Sequence, residues 1–210
     1  MKKFSVILIV VLLVFTTSCC AFADGFSVGL NFGFRYTISN TSQFLSASVG
    51  LNAEYMIIPN LSLALKANYS FGKGISNINA QLFAKYQFSL GPANLGFQAG
   101  AIYDMLLGDS NRSSLFVAPG IFGNYQILSL DGKFPLYIFS PSFTTGTGFL
   151  KGFFYDATIG IGHHFNNLFV NAKGNIGNSN SFKLETLSTG SKHIADFTIS
   201  IGADYLIGTP

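Results

Sequence analysis

In the stretch FSVGLNFGFRYTI, residues 26–38, every second residue is apolar. Phe26, Val28, Leu30, Phe32, Phe34, Tyr36 and Ile38 alternate with Ser27, Gly29, Asn31, Gly33, Arg35 and Thr37. A period of two is the period of a β-strand, whose successive side chains point to opposite faces. Strands in soluble sheets usually run to about 5–6 residues. An alternation held for thirteen residues therefore describes something longer. A sheet closed on itself, with lipid against its apolar face and water or polar side chains inside, needs strands of that length.

The pattern recurs along the chain and predicts ten strands: 26–38, 44–57, 61–71, 78–88, 93–104, 115–129, 134–142, 151–164, 168–177 and 193–207. Short connections at Pro59-Asn60, Leu90-Gly91-Pro92, Asp131-Gly132 and Asn166-Asn167 alternate with longer ones. Short turns on one rim and longer loops on the other belong to outer-membrane barrels, with the turns periplasmic. The expected fold class is all-β, a closed antiparallel transmembrane β-barrel of ten strands. An eight-strand alternative makes residues 105–150 a long external excursion. It arises because Pro119, Pro135 and Pro141 interrupt the pattern there, and proline is unwelcome in a sheet without edges. Phe116 and Phe122 also take the inward parity.

Charge and tyrosine placement set the faces. Arg35, Glu54, Lys66, Lys85, Asp104, Asp156, Lys173, Asp196 and Asp204 all take the inward parity, as a charge network in the lumen. A lipid-facing Arg or Lys at the midplane costs about 2–4 kcal/mol, which is reason enough for an uncharged outer face. Tyr36, Tyr69, Tyr103 and Tyr155 are assigned outward near the loop rim. Tyr55, Tyr86, Tyr125, Tyr137 and Tyr205 are assigned outward near the turn rim. Tyrosine keeps its ring in hydrocarbon and its hydroxyl among headgroups, so two girdles are expected.

Residues 1–23 read as a cleaved signal peptide. Lys2 and Lys3 precede the apolar run 4–15, and Ala21-Phe22-Ala23 is a small-x-small cleavage site. Residues 24–210 are then the barrel. Both cysteines, Cys19 and Cys20, lie in the leader, which removes disulfide and thiol chemistry from the remainder. Taking Lys2 and Lys3 from twelve basic residues leaves ten against nine acidic. That balance is no nucleic-acid footprint. With 10% charged residues and 23 Phe, the chain needs lipid over its apolar face.

The inward face is rich in Gly, Ser and Asn. Ten strands about 4.8 Å apart and tilted about 40° enclose a backbone radius of roughly 10 Å. Small inward residues either leave a narrow polar lumen or relieve curvature around a plugged one. Two further expectations concern the charges. Arg35 and Asp196 sit at similar depth on the strands that close the barrel, which pairs them; Glu54, Lys85 and Asp204 form a lower layer.

The histidines offer little chemistry. His163 and His164 are sequence neighbours, so a strand points them to opposite faces and makes them a poor metal pair. His193 with Asp104, Asp109 or Asp196 is the single acid–base combination near the loop rim. No catalytic, metal or cofactor site is assigned.

Over residues 24–207 the architecture resembles the small outer-membrane β-barrel proteins of the OmpA/OmpX/OmpW-like group. The resemblance implies outer-membrane lipid as the solvent and a barrel-assembly machinery as a partner. Phe197, Ile199, Ile201, Ala203, Tyr205 and Ile207 give the last strand the amphipathic face such a machine could read. It also implies the outer membrane of a diderm bacterium as the location. Two functions follow: a narrow pore for small solutes, or a structural or surface-interaction barrel with a plugged lumen. An outer-membrane barrel enzyme is the weakest third. The first expected outcome is fractionation with outer membranes and heat-modifiable gel mobility, because a closed barrel has no edge to fray. Recovery as a soluble periplasmic protein would contradict this.

Overall fold

A computed structural model describes residues 25–39, 43–72, 75–107, 112–139, 155–178 and 193–207. Residues 1–24, Asp109 and Pro141 lie outside the described residues. The strands are β1 (Phe26–Ser39), β2 (Gln43–Ile58), β3 (Leu61–Gly72), β4 (Ile75–Leu90), β5 (Ala93–Leu107), β6 (Arg112–Tyr125), β7 (Leu128–Lys133), β8 (Leu136–Phe139), β9 (Asp156–Phe165), β10 (Leu168–Gly177) and β11 (His193–Ile207). Neighbours pair antiparallel, and β1 pairs with β11 to close the ring. β7 and β8 are two pieces of one crossing, both paired with β6. The result is a closed ten-strand barrel, so the eight-strand alternative does not hold.

Closure answers the backbone's demand for partners. In hydrocarbon every N–H and C=O must be satisfied within the protein, and a closed ladder does this without an edge. The seam runs unbroken from Phe26↔Ile207 to Ile38↔Ala195. The register also sorts the faces. On β1, Leu30, Phe32, Phe34 and Tyr36 are exposed, whereas Asn31 and Arg35 point into the lumen.

The seventh crossing departs from the sequence reading. The Asp131-Gly132 turn does not form; the chain turns at Gln126-Ile127, where Gln126 takes φ 50°. Asp-Gly is a strong local hairpin signal, but the facing of the neighbours outweighs it. Turning at Gln126-Ile127 sends Leu128 and Leu130 to the lipid face and turns Asp131 and Lys133 to the lumen side. Turning at Asp131-Gly132 would reverse all four. The five-residue displacement also inverts parity along the rest of the crossing. The Tyr137 backbone pairs with Phe116 in the loop-side half, so Tyr137 is not at the turn rim.

The prolines mark the break in this crossing. Phe134 N–H donates to the Pro119 carbonyl at 2.9 Å. Pro119 has no N–H to return, and Pro135 follows immediately. The ladder is thus interrupted between β7 and β8, where both prolines meet it, and its register shifts again between Leu115 and Phe116.

Inside, one side of the barrel is packed with apolar groups. Phe83, Ile102, Phe116 and Ala118, from β4, β5 and β6, form a buried cluster. Inward glycines make room for rings: a Cβ on Gly100 would meet Phe83, one on Gly96 would meet the Phe122 ring, and one on Gly162 the Phe169 ring. These glycines fill the lumen instead of emptying it.

Leu30→Arg and Leu65→Arg place a cation on the lipid face. Each should destabilise the barrel by about 2–4 kcal/mol in denaturant titrations of protein folded into vesicles. Asn31→Arg, on the opposite face, should cost clearly less. Equal costs at the two parities would show that the faces are exchanged.

Candidate functional site in the barrel lumen

The upper lumen is organised around the seam. β1 carries Arg35 and β11 carries Asp196, each diagonal to the other across the ladder. Arg35 Nη2 donates to Asp196 Oδ2 at 3.0 Å, and the Thr37 hydroxyl donates to the other carboxylate oxygen. Arg35 Nη1 reaches Asn77 Oδ1 at 3.4 Å. Asn77 and Asn79 in turn donate to Asp104 at 2.9 and 3.1 Å. A continuous polar chain therefore spans the lumen from β11 to β5. Such satisfaction is what a buried charge requires.

Lower down, four lysines occupy one depth. Lys66, Lys133 and Lys173 each lie six residues beyond the last residue of their turns, Asn60, Ile127 and Asn167, and Lys85 lies six before Gly91. Their counter-charges are unequal. Lys85 holds Glu54 at 2.7 Å, and Ser62 also donates to that carboxylate. Lys133 approaches Asp131 at 3.3 Å and Asp156 at 3.8 Å, with its ammonium 5.3 Å from the Phe83 ring centre. Lys66 shares the same Asp131 oxygen, at 3.8 Å. Among the described residues, Lys173 makes no ion pair.

Asp204 does not join Glu54 and Lys85 in a charged layer. Its carboxylate accepts from Asn171 at 2.9 Å and Asn52 at 3.3 Å, and the missing Cβ of Gly29 leaves space for it. Asp156 accepts from Asn175 at 3.0 Å. Asp131 also accepts from the Gln98 side chain. Asp131 and Lys133 are the lumen charges that the sequence reading missed. Their signal was available: they alternate with Leu128 and Leu130 in the same period of two.

Two cavities are lined by described residues of the lumen. The upper one, about 190 Å³, is lined by Arg35, Lys66, Asp104, Lys173 and Asp196 among other polar groups. The lower one, about 150 Å³, is lined by Glu54, Lys85, Gln87 and Phe122 near the turn rim. They share no lining residue. The Lys85–Glu54 pair and Phe122, whose ring centre is 5.5 Å from Lys85, belong to the wall of the lower cavity, and Phe83 is buried.

The aromatic positions follow the rims. Tyr36, Tyr69 and Tyr103 are exposed on the loop side, and Tyr86, Tyr125 and Tyr205 on the turn side. Tyr55 and Tyr155 are half-buried. His163 packs edge-on against Phe165, and His164 lies over Phe169 with ring centres 4.5 Å apart. Asp104 and Asp196 belong to the seam chain; the side chain of His193 lies outside the described ones.

No family model matches the chain, and no curated protein matches it in sequence. Solved structures do. The β domain of the Bordetella autotransporter BrkA superposes with a TM-score of 0.50 at 9% identity, covering 87% of this chain and 99% of that one. The chain has the fold of the outer-membrane β-barrels. Neisserial surface protein A gives a TM-score of 0.44 at 16% identity, over 88% of this chain and 99% of that one. Outer membrane phospholipase A from Escherichia coli gives 0.45 at 10%, over 90% and 96%. The likeness is one of fold, and the lumen of this chain is read from its own residues.

The Arg35–Asp196 pair generates a prediction. Asp196→Ala leaves a guanidinium in a half-buried lumen and should destabilise the barrel by about 3 kcal/mol. The double variant with Arg35→Ala should cost less than Asp196→Ala alone, in the same denaturant titration. A double variant at least as costly as that single one would show that the pair is not coupled.

Proposed function

We propose that this chain is an exported outer-membrane barrel whose lumen is a polar receptacle on the loop side, closed below, and not an open diffusion pore. The observation that carries the reading is the side-chain filling of the barrel: Phe83 and Phe116 are fully buried inside it, and Phe122 lines the lower cavity beside Lys85. Glu54, paired with Lys85, lines the same cavity. Water-filled porins are wider barrels of 16–18 strands, whereas small barrels are filled by side chains or hold one small ligand. Ten strands with Phe83, Phe116, Phe122 and Phe169 turned inward belong with the second kind.

The leader and the tyrosine girdles support residence in the outer membrane, with lipid as the surrounding partner and a barrel-assembly machinery as the route in. Planar-bilayer recording tests the closed lumen. The wild-type barrel should show no stepwise conductance, and Phe83→Ala combined with Phe122→Ala should create it. Steady ohmic conductance of the wild type would mean that the lumen is open and that small solutes pass.

A further inference from the structure

We infer that the floor of the upper cavity is a binding site for a small oxyanion of the phosphate or carboxylate class, held by Lys66 and Lys173. The inference deepens the receptacle reading and rests on it for the closed floor.

Three ammonium groups border this cavity at one depth: Lys66, Lys133 and Lys173. Lys66 and Lys133 share a single carboxylate oxygen of Asp131. Asp156 lies 3.8 Å from Lys133 and is also held by Asn175. Asp104, Asp196 and Asp204 are engaged by amides, a hydroxyl or Arg35. Among the described residues, Asp131 and Asp156 are the carboxylates within ion-pair distance of these three lysines, and neither reaches Lys173. Lys85 makes no claim on Asp131, because it faces the lower cavity and has Glu54. An ammonium in a narrow, half-desolvated lumen needs a partner.

The shape is suited to one. Gly160 leaves space for the Lys173 stem, since a Cβ there would meet Lys173 Cγ at 3.1 Å. The surrounding wall presents neutral hydrogen-bonding groups from Asn31, Ser48, Asn68 and Ser200. A cavity of about 190 Å³ accommodates an ion of phosphate size with a few waters, at about 30 Å³ each. Lys66 keeps 30% of its side chain exposed, so its charge is presented to the space, whereas Lys133 at 4% contributes field from within the wall. Charge-assisted hydrogen bonds of this type are stronger than neutral ones.

The experiment is calorimetric titration of inorganic phosphate, and separately of acetate, into the barrel purified in detergent from outer membranes. The expected result is saturable 1:1 binding of at least one of the two, with their relative affinity distinguishing phosphate from carboxylate. Lys173→Gln should weaken it by about tenfold or more. Lys66→Gln with Lys173→Gln should abolish it, and Lys173→Arg should keep affinity within about threefold. Heat-modifiable mobility shows that each variant is folded. Lys85→Gln, which lines the lower cavity and holds Glu54, should weaken binding clearly less than Lys173→Gln. No saturable binding of either anion to the wild type would overturn the inference. So would a folded double variant with wild-type affinity, or a Lys85→Gln variant as weakened as Lys173→Gln. Conductance reads the closed lumen independently: a conducting wild type that still binds through Lys66 and Lys173 removes the closure and leaves the site.

Discussion

The ladder between β1 and β11 is the constraint on which the rest of the molecule depends. Lipid offers no hydrogen bonds, so a ten-strand sheet with two free edges would leave a row of unpaired peptide groups in hydrocarbon. Joining the first strand to the last removes both edges and fixes which residues face inward. Once Phe26 stands opposite Ile207, the register carries Arg35 and Asp196 to neighbouring positions at the loop end. The charge pair is a consequence of closure and also guards its register. A slip of one residue would put Arg35 in lipid and leave Asp196 without its cation.

From the same constraint follows the filling of the lumen. A small closed barrel has little interior, and its wall must be packed from within or left to water. Here the work is divided. The β4–β6 side uses Phe83, Ile102, Phe116 and Ala118, and the β1–β3 and β9–β11 sides use Asn, Ser and charged groups. The glycines opposite the rings belong to this division. A Cβ at Gly96 or Gly162 would run into the Phe122 or Phe169 ring, and one at Gly100 into the Leu82 carbonyl and Phe83.

Much of this was legible in the sequence. The period of two gave eight of the crossings close to their observed places, and inward parity marked Arg35, Glu54, Lys66, Lys85, Asp104, Asp156, Lys173, Asp196 and Asp204. The seventh crossing was misread because Asp131-Gly132 is a strong turn signal at short range, whereas Gln126-Ile127 carries none. What decides the turn is a non-local requirement, that Leu128 and Leu130 face lipid and that Asp131 and Lys133 do not. Partner choice in the lumen was less legible. Asp204 appeared to belong with Lys85, but Asn52 and Asn171 reach it first. Such contacts depend on side-chain reach across the lumen, which strand depth alone does not specify.

The central claim is that one alternation, continued through the irregular seventh crossing, sorts every strand residue to lipid or lumen. Its most direct measurement is a scan of single cysteines along β1 and along residues 128–136, each carrying a fluorophore quenched by brominated lipid. The barrel residues contain no other thiol. The account predicts strong quenching at Leu30, Phe32, Phe34, Leu128, Leu130 and Leu136, and weak quenching at Asn31, Gly33, Arg35, Asp131 and Lys133. Strong quenching at Asp131 and Lys133 with weak quenching at Leu128 and Leu130 would restore the turn at Asp131-Gly132. It would also remove the lysine floor.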